Sequence, residues 1–177
     1  MTKILTHTHC LVLSLVLVLG CSQQPGQSGG PPPDAAKPPT SEYLLASEPS
    51  GAKGVAEARK SAKTNDQVVV VGRIGGDANP WVEGVAAFLI ADTSLTPCNA
   101  RPGDSCPTPW DYCCDLDLLK SAKAMVKVVD REGRLLKTDA RKLMPLKELQ
   151  TVVVHGRAER DEAGNLTIFA DGVFIRS

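Results

Sequence analysis

Histidine is the scarcest of the chemically versatile residues in this chain. The 177 residues include three histidines, and His7 and His9 precede an apolar stretch close to the first residue. The remaining one, His155, follows three valines in a stretch typical of a β-strand, so we interpret it as a strand residue rather than a ligand. Catalysis by a histidine pair and zinc sites built from several histidines are therefore excluded for the segment beyond the first stretch.

The chain also lacks an excess of charge of either sign and is poor in aromatic residues. Lysine plus arginine equals aspartate plus glutamate at 20 each, with two tryptophans, two tyrosines and three phenylalanines. Proteins that neutralise many phosphates carry a basic excess, and single-strand binders stack bases on aromatic rings. The composition therefore argues against nucleic acid as a partner.

Catalytic motifs in a supporting context are missing as well. Gly-x-Ser-x-Gly occurs once, at 26–30, but in a stretch rich in Pro, Gly, Ser and Gln rather than between a strand and a helix. No His-Glu-x-x-His occurs, and the stretch 72–76 lacks the spacing and the trailing Lys-Ser/Thr of a phosphate-binding loop. We predict that the protein is not an enzyme and that it needs no cofactor.

An apolar stretch close to the first residue ends at a cysteine. Residues 11–19 are almost entirely apolar, which is too short to span a bilayer and is typical of a secretory signal over 1–20. The segment Val18-Leu19-Gly20-Cys21 resembles the lipobox of bacterial lipoproteins. The resemblance implies cleavage before Cys21 and acylation of its thiol, for example with palmitate. An ordinary signal peptide with a chance cysteine and a retained membrane anchor are the alternatives.

The lipobox resemblance also implies a location. Cys21 would anchor the protein to a membrane of the bacterial cell envelope. Ser22 follows it in place of Asp, which resembles the pattern that permits sorting to the outer membrane, facing the periplasm, in bacteria with two membranes. Residues 21–47 are rich in Pro, Gly, Ser and Gln and are predicted to be a disordered tether.

Residues 48–177 are predicted to form one domain of mainly β structure. A helix is expected over 48–63, from Val55, Ala58 and Ala62 on one side, and a second short one within 139–150, limited by Pro145. Five apolar stretches indicate strands, namely 67–74, 85–92, 124–130, 151–160 and 166–176. Glycines at matching positions of the first and fourth strands, Gly72 and Gly156, would permit the bends that a closing sheet requires.

This order of elements, together with stretches such as 68–74 and 88–92, resembles the oligonucleotide/oligosaccharide-binding (OB) fold. The whole chain also looks like small bacterial lipoproteins that carry such a domain behind a Pro-rich tether. The resemblance implies a five-stranded barrel that binds ligands on its second and third strands. The adjoining loops would be 75–83 and 161–165. Candidate ligand contacts are Arg73, Trp81 and Arg157, with the two arginines in one anion site.

A long loop between the second and third strands, 93–123, holds four cysteines. Two disulfides among Cys98, Cys106, Cys113 and Cys114 are the favoured interpretation, because exported proteins meet an oxidising compartment. A thiolate metal site for zinc or Cu(I) is an alternative, although the usual close cysteine pairs are missing. Thiol–disulfide redox chemistry at the adjacent cysteines Cys113 and Cys114 is a further alternative, although these two residues lack the Cys-x-x-Cys spacing.

Together these features predict an envelope lipoprotein whose OB-like barrel acts as a non-catalytic binding or interaction module. A wall saccharide, a peptide or another envelope protein would be its ligand. A metal-binding or redox protein that uses the four loop cysteines is the first alternative. A nucleic-acid-binding OB domain is the second.

Overall fold

The computed structural model describes residues 41–176. The predicted signal segment, Cys21 and most of the predicted tether lie outside the described residues. Within 41–176, no helix has the length and apolar character that crossing a membrane requires.

Seven strands and three short α-helices make up the described domain. They are β1 Lys53–Gly54, α1 Val55–Ser61, β2 Gln67–Ile74, β3 Trp81–Val82, β4 Ala87–Ala91, α2 Leu116–Leu119, β5 Lys123–Val128, α3 Ala140–Leu143, β6 Thr151–Arg160 and β7 Leu166–Ile175. Single 3-10 turns at Cys98–Ala100 and Cys113–Asp115 lie in the long loop between β4 and β5.

Five of the strands close into a barrel. The order is β2-β6-β7-β5-β4, and a further pairing of β4 with β2 closes the ring. β5 and β7 are parallel, whereas the other four contacts of the ring are antiparallel. β1 pairs with β2 and β3 pairs with β4, but neither of these short strands is part of the ring. The barrel is OB-like, so the predicted fold class is confirmed.

Alternating side chains fill the barrel. Along β5 the residues Ala124, Val126 and Val128 are buried, whereas their neighbours are partly exposed. Phe88 and Ile90 of β4 are fully buried in the same core. Burying a side chain of that size contributes about 1.5–3 kcal/mol, so the interior packing stabilises the closed sheet.

The two strand glycines have different structural roles. At Gly156 the pairing of β6 with β7 changes register, because Gly156 lies opposite Ala170 while His155 lies opposite Gly172. This β-bulge bends the sheet, as predicted for that glycine. A Cβ at Gly72 would lie 3.0 Å from side-chain atoms of Ile90 and Val55, so Gly72 allows α1 to pack closely on the barrel.

The first helix is shorter than the predicted 48–63. Lys53 and Gly54 pair with β2 in the parallel direction, which keeps the backbone extended up to the helix start. The helix ends before Ala62, whose backbone is also extended. Tertiary pairing therefore overrides the helical pattern of the flanking residues, and α1 forms only over Val55–Ser61.

Residues 43–45, which the sequence assigned to the tether, lie against β7. The Leu45 N–H donates to the Val173 carbonyl at 2.9 Å, and the Val173 N–H donates to the Tyr43 carbonyl at 2.8 Å. Tyr43 and Leu44 also pack against the barrel core. The stretch that precedes β1 is thus held along the edge of β7.

The second predicted helix, within 139–150, is a single turn. Asp139 caps α3 by accepting a hydrogen bond from the Arg141 N–H. Met144 is extended, as expected before Pro145, and ends the helix. Ala140, Met144 and Leu146 enter the core, so this segment covers the barrel even though little of it is helical.

Candidate functional site

Trp81, a predicted ligand contact, is an anchor of the barrel. It is 6% exposed, and its ring packs against Phe88 with the centroids 5.9 Å apart. Its indole N–H donates to Glu148 Oε1 at 2.5 Å, and the Arg141 guanidinium lies over the ring at 5.0 Å. The ring already has protein partners on several sides, which does not fit the predicted role in ligand contact.

The two arginines predicted to share one anion site are far apart. Arg73 pairs with Thr151, whereas Arg157 pairs with Gln67, at the opposite end of the β2–β6 ladder. Six positions along a strand correspond to about 20 Å. Arg73 instead lies under the long loop, where its guanidinium donates to the Leu95 carbonyl at 3.4 Å. The predicted joint site of these arginines does not form.

Arg157 belongs to a row of side chains on the outer barrel surface. Strand pairing places Lys127 of β5, Phe169 of β7 and Arg157 of β6 side by side. The Lys127 ammonium lies 5.6 Å and the Arg157 guanidinium 4.9 Å from the Phe169 ring centroid. We call these three residues the cation–aromatic row. A cation at such a distance is attracted to the ring face.

Phe169 and Arg157 of the cation–aromatic row line a groove of about 350 Å³. Asp130, Arg131 and Asp171 also line it. Much of this acidic charge has protein partners, because Asp130 accepts from the Arg134 guanidinium at 2.8 Å and Asp171 from the His155 ring at 2.5 Å. Of the two arginines of the groove, Arg131 pairs with Glu42 at 3.7 Å, whereas Arg157 has no acidic partner among the described residues and is the cation left for a ligand.

Hydrogen bonds to neighbouring side chains hold the groove residues in place. Arg157 donates to the Asn65 side-chain oxygen at 2.9 Å, which orients its guanidinium towards Phe169. His155, interpreted from the sequence as a strand residue rather than a ligand, forms a hydrogen bond with Asp171 beside the bulge. The row is thus built on paired strands rather than on a loop.

The face predicted from the fold, on the second and third barrel strands, also carries a groove, of about 260 Å³. Leu89 of β4 and Met125 of β5 line it, together with Thr167 of β7. From the predicted loops, 161–165 contributes Asn165, whereas no residue of 75–83 lines this groove. The two grooves lie on adjoining rows of the same outer surface.

Phe169 and Lys127 were not predicted from the sequence as site residues. Leu166, Ile168 and Ala170 of β7 are buried, so the strand alternation turns Phe169 outward. The sequence signal that could have identified Phe169 as a site residue is an aromatic side chain at an outward-facing strand position.

The cysteine loop is fastened to the end of the barrel. The Gly76 N–H donates to the Trp110 carbonyl at 3.1 Å, and the Trp110 indole donates to the Ala78 carbonyl at 3.0 Å. Tyr112, 1% exposed, packs with Ala91 and Leu119 in a small separate cluster. Tyr112 is therefore an anchor that packs the loop onto the barrel.

Three of the four cysteines of this loop come together as thiols. The sulfur atoms of Cys98, Cys113 and Cys114 lie within 4.8 Å of one another, with 3.5 Å between Cys98 and Cys113. A disulfide has a sulfur–sulfur distance of about 2.05 Å. All four thiols are free, so the predicted disulfides are not present in the structure.

The thiols differ in acidity. Burial raises the pKa of Cys98, and the contact with the Cys98 thiol raises the pKa of Cys113 to about 12. Hydrogen bonds to Thr108 lower the pKa of Cys106. A thiol with a raised pKa is a poor nucleophile at neutral pH, which disfavours Cys98 and Cys113 as attacking groups in redox chemistry.

The fold and the sites define a class: an OB-like barrel with a cation–aromatic groove and a cysteine-bearing loop inserted between its second and third strands. In comparisons with known proteins, no family model matches this chain, and no curated protein is significantly similar to it.

Proposed function

We propose that this chain is a non-catalytic binding module of the bacterial envelope that recognises an acidic saccharide on the outer face of its barrel. The observation that supports this proposal is the cation–aromatic row of Lys127, Phe169 and Arg157. Two cations beside one ring offer charge to a carboxylate or phosphate and an apolar surface to a sugar ring.

The dimensions of the row fit a ligand of this class. A groove of about 350 Å³ is within the size range of small-molecule sites. Because Arg157 is already fixed by Asn65, binding orders few additional side chains. The zero net charge of the chain favours a ligand recognised by a local pair of cations over a long polyanion held by many phosphate contacts.

The binding test uses the full chain and polygalacturonate as an acidic polysaccharide probe, with neutral dextran for comparison. We expect retention on polygalacturonate and not on dextran. Arg157→Ala and Phe169→Leu should each weaken binding about tenfold, which corresponds to about 1.4 kcal/mol. Leucine at position 169 keeps an apolar side chain, so weaker binding by Phe169→Leu would show that the aromatic ring itself contributes to binding. Affinity electrophoresis or calorimetry measures both changes.

Lys120→Ala serves as the matched control, because Lys120 is an exposed cation that pairs with Asp117 in the cysteine loop. It should bind as the unaltered chain does. Equal binding by Arg157→Ala and the unaltered chain would contradict the proposal, as would failure to bind the probe. Tight binding to oligothymidylate that falls steeply with salt would favour the nucleic-acid alternative instead.

The second part of the proposal concerns anchoring. We propose that the chain is a lipoprotein attached to the envelope through Cys21, with support from the lipobox-like segment Val18–Cys21. Expressed in a bacterium with labelled palmitate, the unaltered chain should take up label and partition into detergent. Cys21→Ala should take up no label, because it lacks the acceptor thiol. Cys114→Ala is the control and should remain labelled. Label in Cys21→Ala would contradict acylation at this residue.

A further inference from the structure

We propose that the cysteine loop binds one thiophilic d10 metal ion through the thiolates of Cys98, Cys113 and Cys114, with Cys106 as a fourth ligand if the ion is four-coordinate. The site is separate from the cation–aromatic row and extends the function beyond saccharide binding. Thiolates favour such ions, Cu(I) and Zn(II) among them.

The sulfur positions fit a common centre. A metal–sulfur bond of about 2.3 Å places sulfurs about 3.8 Å apart in a tetrahedron. The three sulfurs lie within 4.8 Å of one another, and the closest pair is 3.5 Å apart. Small rotations of these side chains therefore bring all three to bonding distance of one ion.

Cys106 is the fourth thiol of the loop. Its Sγ contacts the Thr108 hydroxyl at 3.4 Å. As a fourth ligand, this side chain would have to rotate away from Thr108 towards the ion.

The backbone around the sulfurs holds two arms of the loop face to face. The Cys98 N–H donates to the Asp111 carbonyl and the Asn99 N–H donates to the Pro109 carbonyl, both at 3.1 Å. An ion pair between Arg101 and Asp115 joins the same arms. The 3-10 turn Cys113–Asp115 then presents two adjacent thiols to Cys98.

Apolar burial does little for the outer part of this loop. Leu116 and Leu118, immediately after the cysteines, are 55% and 57% exposed. The cluster beneath the loop contains only Ala91, Tyr112 and Leu119 as buried members. A bound ion would crosslink the two arms and supply the order that packing leaves incomplete, as structural metal sites do.

The test titrates the reduced full chain with Zn(II) and, separately, with Cu(I), each against a competing chromophoric chelator under anaerobic conditions. We expect one ion per chain and protection of the loop thiols from alkylation. Cys114→Ser should lower the affinity at least about 100-fold, since loss of a ligand exceeds the loss of a supporting contact. Because Cys114 is exposed, the fold should survive this change, and circular dichroism checks that it does.

Cys106→Ser separates the two ions, and Cys21→Ser is the control. Loss of Zn(II) affinity in Cys106→Ser identifies a four-sulfur zinc site, whereas retained Cu(I) affinity identifies a three-sulfur copper site. Cys21→Ser should bind as the unaltered chain does. Binding of neither ion, or equal binding by Cys114→Ser, overturns the proposal. So does a mass lower by four hydrogen atoms in chain isolated without reductant, because the loss of four protons and four electrons from the thiols indicates two disulfides instead.

Discussion

Gly156→Ala is expected to lower the free energy of unfolding by about 3 kcal/mol, at the upper end of the cost of overpacking. An added Cβ would lie 2.8 Å from the Ala170 Cα and closer still to the Phe169 carbonyl oxygen. These neighbours are backbone atoms of β7 at the bulge, so relief requires moving the paired strand. Urea unfolding of the variant and the unaltered chain measures the difference.

Gly72→Ala provides the graded comparison for this prediction. A Cβ there meets side-chain atoms of Ile90 and Val55 at 3.0 Å, and side chains adjust at lower cost than a paired strand. We expect a loss of about 1–2 kcal/mol. Glu159→Ala, an exposed position of β6, should change stability by less than about 0.5 kcal/mol. Equal losses at Gly156 and Gly72 would show that the bulge backbone can shift.

The barrel strands could be predicted from the sequence because a local pattern specifies them. The stretches 67–74 and 151–160 are strands over the predicted residues, since valine-rich segments bounded by polar turns favour extended structure. The helix over 48–63 could not be delimited, because pairing of Lys53 and Gly54 with β2 is a long-range contact. The pairing of residues 43–45 with β7 could not be predicted for the same reason, since it is also a long-range contact.

The sites were less predictable than the strands because they depend on which strands become neighbours. Arg73 and Arg157 occupy equivalent positions in two similar sequence segments, but antiparallel pairing of β2 with β6 sends them to opposite ends. Lys127 and Phe169 are 42 positions apart in sequence and meet only through parallel pairing of β5 with β7. The cysteines, in contrast, were grouped by sequence proximity alone. That the sulfurs of Cys98, Cys113 and Cys114 lie close to one another is seen only in the folded loop.

Asp92 links the start of the cysteine loop to α1. Asp92→Ala is expected to lower the free energy of unfolding by about 3 kcal/mol, because hydrogen bonds to a charged group contribute about 1.5–3 kcal/mol each. Asp92 follows β4 at the start of the cysteine loop and is 6% exposed. Its carboxylate accepts hydrogen bonds from the Ala56 N–H at 2.7 Å and the Ser94 N–H at 2.9 Å. It thereby caps α1, whose own N-cap residue Gly54 has no side chain.

The pH dependence separates this capping role from simple packing. Burial alone would raise the pKa of Asp92, but the hydrogen bonds from Ala56 and Ser94 outweigh it and the pKa is lowered. A lowered pKa in the folded state gives stability that is present above the unfolded value of about 3.9 and is lost as the pH falls through the folded value. Asp92→Asn keeps the shape and removes the charge. It should therefore be less stable than the unaltered chain at pH 7, by a difference that shrinks as the pH falls below about 4. Urea unfolding across this range measures the difference. A difference that stays constant with pH would mean that the carboxylate charge does not stabilise the start of α1.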